Sequence, residues 1–255
     1  MDGAYPIVMP PPVVENPDEF DVANLVTEDD EPVDNIFSAK QQRFLVEPIY
    51  SSSKLQRPFV ADSNVAIYAT PRAAPIVPDM WLSLGVQVAE DWYKKENRSY
   101  LLWEFHKPPE VVVEIVSNQK GKEETSKLRD YAELGILYYV IYDPQQLILD
   151  EPIQVYQLVA GDYLLRPDYQ LAQVGLSLRL WYGAFEDKTT LWLRWCDREG
   201  NLILTGAERA IQAENRAEQA SIRAGQEQER ANQADALAKR LADQLRALGV
   251  EPEEE

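Results

Sequence analysis

With 255 residues, 45% of them hydrophobic, the chain is long enough for one full-sized domain with appendages. No apolar run of roughly eighteen residues is present, so no membrane-spanning helix is expected. The net charge of -18 argues against non-specific nucleic-acid binding, and a single cysteine, Cys196, excludes an internal disulfide framework. The opening MDGAYPIVMPPPVVENPDEF has no basic stretch leading into an apolar one. It does not read as a secretory signal, and a cytoplasmic location is expected. One histidine, His106, cannot build a Cys/His zinc site with one cysteine. It falls in the turn-like Glu104-Phe105-His106-Lys107-Pro108-Pro109 and reads as a loop residue. Any metal should be a hard ion held by carboxylates.

The charge is uneven. Residues 1–40 carry ten acidic residues and one basic, residues 205–255 carry eleven acidic and seven basic, and the middle is only mildly acidic, at -5. Residues 1–35 are rich in Pro, Asp and Glu without periodicity and read as an extended or disordered lead-in. Ser38 is placed to cap a short helix, AKQQRFLVEPIY. FVADSNVAIYA, residues 59–69, suggests a strand, and prolines frame a second short one around Asp79. The β-branched run VVVEIV, residues 111–116, predicts a buried central strand. Residues 122–134 predict a helix with Gly135 just past its end, and ILYYVIYDP predicts the next strand. Short β segments follow: PIQVYQLV, a turn at Ala160-Gly161-Asp162, YLLR and GLSLRLW. LWLRWCDREGNLIL reads as a hairpin turning at Asp197–Gly200.

From about residue 205 the texture changes to Ala, Gln, Glu and Arg without proline up to residue 248. Alternating steps of three and four run from Ala210 through Ala224, Glu227 and Ala238 to Leu241, Leu245 and Leu248, a heptad seam broken only at Glu227. Homodimerisation through residues 206–248 is expected, with the leucines carrying most of the association. A single solvated helix is the alternative.

Three residues stand out chemically. In a strand, Glu114 points to the same face as Val112 and Val116, where a carboxylate is costly unless paired or metal-bound. The other reading is an edge strand with one wet side. Asp79 follows Pro78 at the entry to MWLSLGV. Alone it is a turn dipeptide, and its weight comes from combination with Glu114. Lys127 shares a helical arc with Leu134, Tyr131 and Leu128, so it starts from the core-facing side and can reach the strand ends. It could equally snorkel, or pair with Glu123. Two carboxylates can hold Mg²⁺ against a phosphodiester, and a lysine beside them can orient water and stabilise the transition state.

The stretch PDMWLSLGV…RSYLLWEFHKPPEVVVEIVSNQKGKEETSKLRDYAELGILYYVIYDP resembles a bacterial, especially cyanobacterial, family. This is the Uma-two family of restriction-endonuclease-like proteins within the PD-(D/E)XK nuclease superfamily. Its Pro-Asp, Glu-x-x-Ser, Lys-x-x-x-Tyr and Asp-Pro recur here in order. The resemblance covers about residues 36–205. It implies an α+β, restriction-endonuclease-like mixed sheet flanked by helices, to which the heptad seam adds a C-terminal long helix or coiled coil over residues 206–255. It maps the Pro-Asp to Pro78-Asp79 and the acid to Glu114. The superfamily lysine position, two residues after the acid, holds Val116, and the family's lysine maps to Lys127 on the next helix. A further superfamily glutamate on an N-terminal helix would fall on Glu47. The resemblance therefore implies catalytic Asp79, Glu114 and Lys127, with Mg²⁺ (or Mn²⁺) on Asp79 and Glu114 and DNA as substrate. Lys120, Lys122 and Arg129 are candidate phosphate contacts. The other function class is a catalytically silent nuclease-fold protein that assembles through its coiled coil.

Overall fold

The computed structural model describes residues 35–117 and 126–247. The lead-in, Lys120, Lys122 and the chain after Ala247 lie outside these residues. The described chain forms an α+β unit up to Thr205 and a separate long helix from Gly206.

Helix α1, Ile36–Ser51, begins with Asn35, whose side chain accepts the Ser38 N–H. The cap thus sits three residues before Ser38, which lies inside the helix with its hydroxyl buried. Asparagine can close the first turn from there, and the apolar Ile36 and Phe37 then enter the helix. The expected strand at 59–69 is two strands, β1 (Phe59–Asp62) and β2 (Ile67–Tyr68). Between them Asn64 turns the chain at a φ of 54°, a conformation asparagine tolerates better than most residues. β3 (Met80–Leu84) follows Asp79 directly. β4 (Tyr100–Leu101) pairs with β2, and the four-residue α2 (Leu102–Phe105) ends at His106 in the left-handed region.

β5 (Val111–Ile115) is buried along its whole length. α3 (Leu128–Leu134) ends at Gly135, whose φ of 79° needs no Cβ and whose N–H reaches Tyr131 and Ala132. The earlier part of the helix expected from residue 122 lies largely outside the described residues. β6 (Tyr138–Tyr142) pairs parallel with β5, as a crossover through α3 requires. β7 (Ile153–Val159) and β8 (Asp162–Leu165) form a hairpin through Ala160 and Gly161, both at positive φ.

Three further strands, β9 (Gln170–Leu171), β10 (Leu176–Phe185) and β11 (Lys188–Cys196), make a second sheet. A long hairpin of β10 and β11 turns at Glu186-Asp187. The expected turn at Asp197–Gly200 is also present: the Gly200 N–H donates to the Asp197 carbonyl, and Cys196 bridges Leu202 antiparallel. α4 spans Gly206–Ala247. No described helix is long and apolar enough to cross a membrane.

The main sheet runs β1-β3-β5-β6-β7-β8 and is mixed, because β5 lies antiparallel to β3 and parallel to β6. Its two faces bury different clusters. Val111, Val113 and Ile115 meet Leu45 and Ile49 of α1 and Leu193 and Trp195 of β11. Val112 and Val116 meet Tyr131 of α3, Tyr100 and Tyr139. Alternation along β5 assigns Glu114 to this second face.

Candidate active site

Glu114 is fully enclosed, with a relative exposure of 1%. It is also partnered. Tyr131 donates its hydroxyl to Oε1 at 2.5 Å, and Lys127 Nζ lies 2.9 Å from Oε2. Both partners come from one helical turn, Lys127 at the N-cap of α3 and Tyr131 four residues on. Lys127 keeps 30% of its side chain exposed, so the ammonium bridges a buried carboxylate and the surface.

Asp79 is the last residue before β3, and Met80 pairs with Val113, so Asp79 lies beside Glu114. Its Oδ2 accepts the Ile115 N–H at 2.7 Å, replacing a ladder carbonyl where β3 runs out. Oδ1 accepts from Gln42 Nε2 at 2.7 Å, and the carboxyl lies close enough to Glu114 for their charges to interact. The three residues singled out by sequence thus meet at one strand end.

The electrostatics follow from burial. Desolvation is the largest influence on Glu114. It outweighs the Lys127 pair and pushes the carboxyl up to about 8, with the Asp79 charge adding to the rise. Asp79 is also raised by burial, against the Ile115 and Gln42 hydrogen bonds and the Lys127 charge that favour its ionised form. Tyr131 is held well above its ordinary value, so its hydroxyl stays a donor. Two neighbouring carboxyls that hold protons reluctantly shed suit a divalent cation, which would replace the protons and cancel their repulsion. Among the described residues no group of three or more Asp, Glu, His or Cys could hold a metal. Asp79 and Glu114 are the two adjacent carboxyls that could hold a hard divalent cation here.

Glu47 does not join this cluster. It is exposed on α1, while Gln42, 4% exposed, faces the site from the same helix. Gln42 also pairs with Asn64 through both amide groups, at 3.1 and 3.3 Å. Gln42 and Tyr131 are the partners that motif reading did not single out as site residues. Tyr131 had a signal in its spacing from Lys127, whereas Gln42, 37 residues from Asp79, had none. Arg129 is exposed and lies beside Asp130 and Glu133. Gln42→Ala is expected to cost about 1–3 kcal/mol by leaving Asp79 short of a buried donor. Urea unfolding checks this, and an unchanged midpoint would show that Gln42 does not hold the carboxyl.

A family model, Uma2, described as "Putative restriction endonuclease", matches residues 29–181. The chain belongs to the Uma2 family. The match runs from α1 into β10 and includes every residue of the cluster, so the Uma2 region and the candidate site coincide. No curated protein and no solved structure matches the chain.

Proposed function

We propose that this Uma2 protein is a Mg²⁺-dependent endonuclease that hydrolyses DNA phosphodiester bonds in the cytoplasm. The observation that carries the reading is the Asp79–Glu114–Lys127 cluster, two buried carboxyls and a partly exposed lysine at one strand end. Asp79 and Glu114 would hold the ion, which supplies Lewis-acid activation of water and offsets phosphate charge. Gln42 and the Ile115 N–H fix the Asp79 carboxyl, and Tyr131 fixes that of Glu114. Lys127 faces outward far enough to orient the attacking water and to stabilise charge gathering on the phosphate. Supercoiled and single-stranded DNA, incubated with Mg²⁺ or Mn²⁺ and with chelator, test the reading. Failure to cut either substrate with either ion overturns it.

A second reading, a nuclease fold that acts by assembling, is favoured by α4. None of its residues is buried, and Leu237, Leu241 and Leu245 are 57%, 51% and 39% exposed along one stripe. A helix of this length that buries nothing gains little from tertiary packing, and a second copy of the chain would cover the stripe. The full chain is expected to sediment as a dimer, and the Leu241→Asp, Leu245→Asp double variant as a monomer. A monomeric native protein would remove the tail's proposed role.

A further inference from the structure

β8 is an end strand of the six-stranded sheet, and only one of its sides is paired among the described residues. Its register with β7 sets Asp162 opposite Val159 and Leu165 opposite Tyr156, and the Arg166 N–H donates to the Val155 carbonyl. Backbone polar groups alternate in direction along a strand, so those of Asp162, Leu164 and Arg166 address β7. The N–H and C=O groups of Tyr163 and Leu165 point outward. The outer edge is also apolar. Leu164 and Leu165 are each 56% exposed, on opposite faces of the strand. Exposed edges ordinarily carry a device that blocks pairing, such as an inward-pointing charge or a bulge. β8 has instead two opposite charges at its ends, Asp162 and Arg166, and Pro167 stops the strand just beyond. Among the described residues the Asp162 carboxylate has no ion-pair partner. Arg166 lies across Gln157 and Asp168 of its own chain.

We infer that β8 is a self-pairing edge, whose partner is β8 of a second copy, antiparallel about a two-fold axis at Leu164. Of the registers that bring outward groups together, this one satisfies all of them. Tyr163 faces the second copy's Leu165, and Leu165 faces its Tyr163, which closes four hydrogen bonds across the join. The same register sets Asp162 against the second copy's Arg166, twice by symmetry, and Leu164 against Leu164. Centring on Leu165 would bring Pro167, which has no N–H, against Tyr163, and Asp162 against Asp168. Centring on Tyr163 would run Leu165 into the turn at Gly161. In-register parallel pairing would set Asp162 beside Asp162. Five residues a side fall short of a standard interface, so the contact is too weak to hold a dimer at the dilution of a sedimentation run. Where two copies meet through it, their main sheets join into one. The pairing is independent of any cleavage activity.

Disulfide trapping in the full chain at high protein concentration tests the register. The native cysteine, Cys196, is buried, so an introduced thiol is the reactive one. In β8 strands paired about Leu164, the two Leu164 Cα atoms lie roughly 4.5 Å apart, within disulfide range. The two Leu165 Cα atoms lie roughly 9 Å apart, outside it. Leu164→Cys should therefore form a linked dimer under mild oxidant at least about tenfold faster than Leu165→Cys, although the two positions are equally exposed. Adding Asp162→Arg to Leu164→Cys should slow linking about two- to thirtyfold, and adding Arg166→Asp as well should restore it. The order of rates should be the same in the Leu241→Asp, Leu245→Asp background. Linking that is absent, equal at the two positions, or indifferent to the charge reversal overturns the inference. A native protein that sediments as a monomer but keeps the Leu164 preference removes the tail's role and leaves the edge.

Discussion

Glu114→Gln is expected to reduce DNA cleavage by at least about a thousandfold without unfolding the protein. The amide keeps the shape of the carboxylate, and its oxygen can still accept the Tyr131 hydroxyl now 2.5 Å away. Lys127 loses its partner but remains 30% exposed, so its ammonium can turn to water. What disappears is one of the two charges that would hold the cation. Because the native carboxyl is held near 8 by burial, the neutral amide should leave the fold at least as stable as the native protein at pH 8 and above. A cleavage assay paired with thermal unfolding separates the two effects. Undiminished cleavage by a folded variant would rule out Glu114 as the metal-holding acid.

The metal-free protein should lose stability as pH rises from about 4.5 to about 8. The Glu114 carboxyl titrates near its ordinary value when unfolded and near 8 when folded, so across this window the folded chain binds more protons. Its contribution is complete below the lower value and is lost as pH passes the upper one. Asp79, raised in the same direction, adds to the trend from its own ordinary value upward. The loss amounts to a few kcal/mol, a large share of a typical domain's stability. A divalent cation at the two carboxylates would reverse it, so Mg²⁺ should raise the melting temperature more at pH 8 than at pH 5, and not at all in Glu114→Gln. Melting curves across pH, with chelator and with Mg²⁺, check both parts. A midpoint that climbs between pH 5 and 8 without metal would mean that the Lys127 pair, not burial, governs Glu114.

The sheet was legible where side chains obey one period. VVVEIV reads as a buried strand because its β-branched run tolerates little else, and the alternation that aims Glu114 with Val112 follows from that reading. The four-residue step from Lys127 to Tyr131 brings both onto the side of α3 that meets the strand. Gln42 was beyond such reasoning, because it reaches Asp79 only after α1 docks on the sheet, and no local pattern encodes that docking. The bend between β10 and β11 went unanticipated for a related reason. Asp197–Gly200 carries strong turn chemistry, while the long hairpin bends at Glu186 and Asp187, at φ values of 43° and 62°. Glutamate is an unusual residue there. The bend is held by tertiary partners instead, since Lys40 and Arg43 of α1 both grip the Glu186 carboxylate, which they hold down at about 2.

Asp79 stands in for a rung of the sheet. The oxygen that accepts the Ile115 N–H does what a β3 carbonyl would do one residue further on. The distance between the two carboxyls is thereby inherited from strand spacing, and thermal motion of a loop cannot stretch it without opening the ladder. A lysine, by contrast, needs only reach. The two carboxyls form a fixed frame, and the Lys127 ammonium is an arm that reaches it from α3.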